Sequence, residues 1–261
     1  MRFTLATWNI NSVRLREGLV ARLMRDEAPD IICLQECKSP VEKMPLQAFA
    51  DLGYGHVVAR GQKGYNGVAI LSKLPLEDAG GHDFAGLGHA RHVAGRLPDG
   101  TVIHNFYVPA GGDKPDREIN EKFDQKLRYL DEMTDWGRSG LSRSILVGDL
   151  NIAPREDDVW NHKALLKVVS HTPEEVEALA RVQEAAGWVD VTRADIPEGR
   201  LYSWWSYRSP DWDTADKGRR LDHVWATPDI AGSAGGSRIL REVRGWEQPS
   251  DHAPVFATFD L

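Results

Sequence analysis

The sequence predicts one α/β domain with mixed sheets, and three observations carry that expectation. Strand-like and helix-like segments alternate along the whole chain. Pro98-Asp99-Gly100 is a hairpin turn signal between two strand candidates, so some neighbouring strands are antiparallel. Helical segments separate other strands, as parallel crossovers require. With 261 residues, 41% hydrophobic and 27% charged, the chain can bury a sizeable core, and its composition excludes disorder and collagen-like repeats. No solenoid period and no linker divides residues 1–261. A flexible stretch at 231–237, Ala-Gly-Ser-Ala-Gly-Gly-Ser, leaves too little chain after it for a second domain.

The elements follow in order. Arg2–Trp8 alternates as a strand, and Asn11 or Ser12 is expected to cap a helix with Val13, Leu15, Leu19, Val20 and Leu23 on one face. Asp30–Gln35 is a short apolar run of buried-strand type. Gly67–Leu71, Arg91–Leu97 and Thr101–Val108 are further strands. Ile119, Phe123, Leu127 and Leu130 repeat at helical spacing across Asp116–Trp136, with Gly137 as the stop. Ser144–Val147 is a strand running into Gly148-Asp149. Thr172-Pro173-Glu174-Glu175 is a capping box with proline at the first helical position, and Gly187 closes that helix. Leu201–Tyr207, Leu221–Ala226, Arg238–Val243 and Val255–Phe259 complete the strands.

Several function classes fall away early. No apolar run approaches the ~20 residues of a membrane-spanning helix, and Met1-Arg2-Phe3-Thr4-Leu5 is no secretory signal. The expectation is a cytoplasmic protein with no membrane partner. Four extended residues would hold Cys33 and Cys37 ~13 Å apart, beyond disulfide reach. Cys33 reads as core and Cys37 as incidental, and the two are too few and too close for a zinc site with thiolate ligands alone. A net charge of −7 argues against a protein that coats nucleic acid by bulk electrostatics. It leaves room for an enzyme on nucleic acid, whose cation-holding carboxylates are themselves acidic. Basic residues are bunched at Arg60 with Lys63, Arg138 with Arg143, and Lys217-Gly218-Arg219-Arg220.

The chemistry collects where strands end. Asn9 and Asn11 follow the first strand, Glu36 the second, and Tyr107 ends the strand before Pro109. Asp149 and Asn151 follow Ile145-Leu146-Val147, Asp222 and His223 sit in Arg220-Leu221-Asp222-His223, and Asp251-His252 precedes the last strand. Taken singly, each has a plainer role: helix caps for Asn9, Asn11 and Ser12, an Asx-turn for Asp149 and Asn151, packed aromatics for Tyr107, Trp204, Trp205 and Tyr207. Their common location at strand ends weighs against those roles. Metal-assisted hydrolysis of a phosphodiester wants such a set. A hard divalent cation takes oxygen ligands, a separate carboxylate activates water, and a His paired with a second carboxylate stabilises developing negative charge.

In this order the segments Thr7-Trp8-Asn9-Ile10-Asn11-Ser12, Leu34-Gln35-Glu36, Gly67-Val68-Ala69-Ile70-Leu71-Ser72, Tyr107-Val108-Pro109, Gly148-Asp149-Leu150-Asn151, Tyr202-Ser203-Trp204-Trp205-Ser206-Tyr207, Arg220-Leu221-Asp222 and Ser250-Asp251-His252-Ala253-Pro254 resemble the exonuclease III type of apurinic/apyrimidinic endonuclease, over nearly the whole chain. The resemblance implies a four-layered α/β sandwich, two mixed sheets face to face with helices outside, and attack on double-stranded DNA that depends on Mg²⁺ or Mn²⁺. Abasic sites and 3′ ends are the implied targets, and the implied form is the short bacterial one, monomeric. By position, Glu36 matches the principal metal ligand and Asn9 lies beside the metal. Asn11 and Asp251 match supporting or alternate metal positions. Asp149 matches the residue that activates water, with a place near the metal, and Asn151 a phosphate donor. Tyr107 matches the tyrosine at the phosphate and leaving group, and His252, oriented by Asp222, the histidine facing the scissile phosphate. His223 matches no catalytic position.

One departure concerns substrate. Many relatives carry Trp directly before the Arg-Leu-Asp motif, where it helps to enclose a flipped abasic sugar; here that residue is Arg219. Trp204 and Leu221 still match pocket positions, and Trp212 is a candidate substitute. Lys217, Arg219 and Arg220 are the expected DNA-binding cations, Arg220 alternatively a structural partner of a carboxylate. Two other readings stand. One is a phosphodiesterase or phosphatase of the inositol-phosphate, sphingomyelin or non-specific nuclease type. The other is a non-catalytic nucleic-acid-binding homologue, which should lack at least one of Glu36, Asp149, Asp222 and His252.

Overall fold

A computed structural model describes residues 1–209 and 211–261. One six-stranded sheet uses β1 (Arg2–Asn9), β2 (Ile31–Gln35), β3 (His56–Arg60), β4 (Val68–Ser72) and, from later in the chain, Ala234–Ile239 and Val255–Asp260. The second uses β5 (Glu77–Asp78), β6 (His92–Arg96), β7 (Val102–Tyr107), β8 (Ser144–Asp149), β9 (Val189–Asp190) and Asp222–Ala226. A two-stranded ribbon joins β10 (Trp204–Trp205) to β11 (Gly218–Arg219). The remaining strands are numbered β12 (Asp222–Ala226), β13 (Ala234–Ile239) and β14 (Val255–Asp260). The strand orders are β13-β14-β1-β2-β4-β3 and β5-β6-β7-β8-β12-β9.

Each sheet holds one parallel pair among antiparallel neighbours, β1 with β2 and β7 with β8. Each parallel pair is bridged by a helix, α1 (Glu17–Asp26) in the first sheet and, after the short α2 (Leu46–Ala50), α3 (Glu121–Gly137) in the second. Then follow α4 (His162–Leu165) and α5 (Pro173–Ala186). Alternation along β1 builds the layers. Phe3 and Leu5 face the second sheet, into a core with Ile70, Val147 and Val224, while Ala6 and Trp8 face outward beneath α1 and α2. The outer face of the second sheet packs Phe106 and Leu146 under α3 and α5. The result is the four-layered sandwich with two mixed sheets face to face.

Several local expectations are corrected. The first helix starts at Glu17, because Asn11 and Ser12 adopt left-handed backbone (φ 48° and 88°) and turn the chain before it; Leu15 is left 62% exposed. The second starts at Glu121, where the Asn120 side chain accepts from the Lys122 amide, so Ile119 lies outside it and exposed. The segment 231–237 is not a free loop, since β13 begins within it and bulges against β14 between Gly235 and Arg238. Arg241–Gly245 is a 3₁₀ turn, and Leu201–Tyr207 shrinks to β10. Cys33 and Cys37 are both buried and free; Cys37 belongs to the outer core and burial pushes its thiol up to about 12.

His92 and His104 stack on this outer face beside Phe106 and Trp136, with His92 Nε2 and His104 Nδ1 3.2 Å apart. Burial drives both imidazoles down, His104 to about 3. The folded chain keeps them neutral, whereas the unfolded chain takes up their protons below its ordinary value of 6.5. The stability they contribute is therefore full above that pH and is lost as pH falls toward 3. Tm should drop between pH 7 and pH 5, and replacing both by Gln should flatten that slope. An unchanged slope would show that the pair does not set it.

Candidate active site

Strand register assembles the site before any side chain reaches out. Tyr107 lies opposite Asp149 in the parallel pair β7–β8, and Asp149 lies opposite Asp222 in the antiparallel pair β8–β12. In the other sheet Asn9 lies opposite Gln35, with Glu36 one residue on. A Cβ on Gly148 would meet the Phe106 carbonyl oxygen at 1.9 Å, so only glycine allows Asp149 its place. Asn11, Glu36, Lys38 and Asn151 all adopt left-handed backbone here (φ 48–54°). Such strain in non-glycine residues persists where surrounding structure enforces it, and it gathers at functional sites.

Asp149 is buried and accepts from three donors: Asn9 Nδ2 at 2.8 Å, the Asn151 amide at 2.9 Å and Asn151 Nδ2 at 3.2 Å. His252 Nδ1 lies 2.8 Å from Asp222 Oδ2, and its Nε2 lies 3.7 Å from Asp149 Oδ2. Ser203 Oγ donates to the same Asp222 oxygen at 2.7 Å, and Trp8 Nε1 donates to the His252 carbonyl. Burial opposes charge on His252, but Asp222 and Asp149 outweigh it and lift the imidazolium to about 10. Burial is also the main cause that raises the Asp149 carboxyl, to about 7, with Asp222 and Glu36 adding to it. The pair therefore offers a charged imidazolium beside a carboxylate able to take a proton near neutrality, the condition for general-base work.

Glu36 stands across from this pair. Its Oε1 accepts from Tyr107 at 2.7 Å and Asn9 at 3.1 Å, and its Oε2 pairs with Lys38 at 2.8 Å. Burial would raise this carboxyl, but Lys38, Tyr107 and Asn9 together hold it below its ordinary value. Burial and Glu36 in turn push the Tyr107 hydroxyl well up, so it stays a donor. Arg91 lies 4.6 Å over the Tyr107 ring. Asp251 accepts from Asn11 Nδ2 and from Trp204 Nε1.

This oxygen set fits a hard divalent cation. The Lys38 ammonium already lies between Glu36 Oε2 and Asn11 Oδ1 (2.5 Å), so the carboxylate and amide oxygens here draw positive charge. Glu36 and Asp251 would hold the ion, with Asn9 and Asn11 alongside. Asp149, Asp222 and His252 also bring ligand atoms within 4.8 Å of one another, a set able to bind metal. Both ring nitrogens of His252 face carboxylates there, and the oxygen donors around Glu36 suit a hard divalent cation better.

The cleft, of about 880 Å³, runs from Glu36, Tyr107, Asp149 and His252 to a wall of Trp160, Trp204, Lys217, Arg219 and Leu221. Arg219 lies 5.2 Å over the Trp204 ring and donates to Val169 O and Ser170 Oγ; Lys217 lies 5.0 Å over Trp160. Arg220 corrects an expectation. It is fully buried, donating to Asp158 at 2.8 and 3.1 Å and to Asp190 at 2.8 Å, because an unpaired guanidinium there would be costly, and it cannot reach substrate. Trp212 also stays out of the cleft, packing on Trp205 and Arg241, and Trp160 supplies the second indole instead. His223 is a buried strand residue bonded to Ile152 O. Sequence reading missed Trp160, Lys38, Arg91 and Ser203; only Lys38, two residues beyond Glu36, had a local signal.

If Asp222 acts only through His252, the two residues form one unit. Asp222→Asn combined with His252→Ala should then cost little more activity than His252→Ala alone. Fully additive losses in a kinetic cycle would contradict that dependence.

Known proteins share this fold. Residues 6–252 match the endonuclease/exonuclease/phosphatase family. Exodeoxyribonuclease III of Haemophilus influenzae is 30% identical over 97% of this chain and 98% of its own. An AP endonuclease from Archaeoglobus fulgidus superposes with a TM-score of 0.92 at 33% identity, covering 99% of this chain and all of that one. The 3′ phosphatase NExo from Neisseria, solved bound to a product DNA hairpin, superposes with a TM-score of 0.91 at 32% identity over the same shares. Metal dependence is general to such enzymes, and the residues assembled here supply what it requires. The chain belongs to the endonuclease/exonuclease/phosphatase family.

Proposed function

We propose that this chain is a metal-dependent phosphodiesterase of DNA repair, a nuclease that hydrolyses the backbone 5′ to abasic sites and removes 3′-terminal nucleotides and blocks from duplex DNA. One observation carries the reading: Asp149 and the Asp222-bound His252 face Glu36 and Tyr107 across a single cleft. The ion, Mg²⁺ with Mn²⁺ as the alternative, would polarise the phosphoryl oxygen and stabilise the leaving alkoxide. Asp149 takes a proton from the attacking water, which Asn9 and Asn151 help to orient through the carboxylate they bind. His252, charged and held by Asp222, faces the phosphorane, and the Tyr107 hydroxyl donates on the leaving side. The whole of residues 1–261 serves as one catalytic domain, acting as a monomer in the cytoplasm. Among the described residues no helix is long and apolar enough to cross a membrane.

A chain of net charge −7 repels DNA as a whole, so local cations must hold the substrate. Arg219 and Lys217 stand in the cleft wall for that purpose. Arg219→Ala should raise KM, reduce the salt slope by about one phosphate contact and leave kcat close to wild type. An unchanged KM and slope would show that Arg219 does not meet DNA. The substrate reading is tested with labelled duplexes carrying an abasic analogue, a 3′-phosphate or no lesion, each with Mg²⁺. Faster cleavage of either lesion than of intact duplex supports it; release of phosphate from inositol phosphates with none from DNA would overturn it.

A further inference from the structure

We propose that the buried pair Lys126–Glu175 is a positioning device that ties the water-activating end of the cleft to its substrate-binding wall. The inference rests on Asp149 acting on water. Lys126, on α3, and Glu175, on α5, are both fully buried, and neither lines the cleft. The three N–H bonds of the ammonium have three acceptors: Glu175 Oε1 at 2.5 Å, the Asn151 carbonyl at 2.9 Å and the Ala110 carbonyl at 3.3 Å. Two of these acceptors lie just past the strands that present Tyr107 and Asp149.

The hold on Asn151 reaches the reacting groups in one further bond. Asn151 is in left-handed backbone, and its amide and side chain both donate to Asp149. The same side chain donates to the Val108 carbonyl, so Lys126 closes a buried loop of bonds around this turn. Packing enforces the arrangement, since a Cβ on Gly111 would meet Lys126 Cδ at 3.0 Å and Val169 Cγ1 at 3.1 Å. Glu175 faces the other way. Its carboxylate accepts from the Ser170 amide at 2.8 and 2.9 Å and from the Thr172 hydroxyl at 2.8 Å. Ser170 is itself left-handed (φ 87°), and its hydroxyl accepts from Arg219 at 2.6 Å. One ion pair thus connects Asp149, through Asn151, with Arg219, through Ser170. An ion pair kept only for stability could be replaced by neutral residues; this one also supplies hydrogen bonds to catalytic loops that a neutral substitute lacks.

The full-length protein tests this with Lys126→Met and with Lys126→Met plus Glu175→Gln. The single change leaves a buried carboxylate unpaired and should lower both Tm and kcat. The double change removes both charges while keeping an acceptor for Ser170, so Tm should return toward wild type. Its kcat on the abasic or 3′-phosphate duplex should stay down by about 10²-fold, with KM within about threefold, because the Asn151 carbonyl has lost its donor. Recovery of kcat together with Tm would overturn the proposal. Backbone amide exchange on folded Lys126→Met needs neither substrate nor the double variant. Exchange at Asn151 should speed up by roughly tenfold or more while β1 stays protected; unchanged exchange at Asn151 would also overturn it. A wild type that cleaves no DNA would instead sink the functional reading and leave the exchange result standing on its own.

Discussion

Asp149→Asn should lower kcat by about 10²–10⁴-fold, the usual loss on removing a general base. Asparagine keeps the size and one acceptor oxygen, which can serve either Asn9 and the Asn151 side chain, now on Oδ2, or the Asn151 amide, now on Oδ1, so part of the hydrogen-bond set survives. What disappears is a carboxylate raised to about 7, mainly by burial, which the proposed mechanism assigns to accept the water's proton. DNA affinity should change little, because Asp149 contributes no positive charge and the cations of the far wall are untouched. Single-turnover cleavage compared with equilibrium binding separates the two. A fall in affinity to match the fall in rate would mean that Asp149 holds substrate rather than water.

Glu36→Gln should produce a loss of comparable size through a different route. The amide leaves Tyr107 and Asn9 a hydrogen-bond acceptor but removes the charge that attracts a divalent ion. The concentration of Mg²⁺ needed for half-maximal rate should rise steeply, and high metal should restore part of the activity. Lys38 sharpens this expectation. Its ammonium now neutralises Glu36, so a neutral amide in place of that carboxylate leaves Lys38 repelling the ion with Asp251 as the remaining metal-holding carboxylate. A variant whose Mg²⁺ dependence matches wild type would exclude Glu36 as the metal-holding carboxylate.

The parts of this site that were legible in the sequence are those set by strands. Asn9, Glu36, Tyr107, Asp149 and Asp222 each sit at the end of a run whose alternation or apolarity marks a strand, and sheet register then places them side by side. The capping box at Thr172–Glu175 was equally readable, because both of its partners are local. Other features depend on contacts far apart in sequence. Arg220 looked like a DNA-binding cation until Asp158 and Asp190 came to meet it from 62 and 30 residues away. Trp160 enters the cleft because β11 lies beside it, with the Trp160 amide donating to the Gly218 carbonyl. The left-handed turns at Asn11 and Ser12 displaced the first helix, since a polar residue after a strand reads the same whether it caps a helix or bends the chain. Glu175 had a local role as a cap, and that role concealed its buried partner Lys126, 49 residues distant.

In the proposed reaction a cation held at Glu36 and the Asp149, Asp222 and His252 group act together on a DNA phosphodiester. It is tested most directly by incubating the wild-type protein with a labelled duplex bearing one abasic analogue, first in excess EDTA and then after Mg²⁺ is restored. No cleavage is expected in chelator, and a nick immediately 5′ to the lesion once Mg²⁺ is added; cleavage at an undiminished rate in excess EDTA would rule out a metal-dependent reaction.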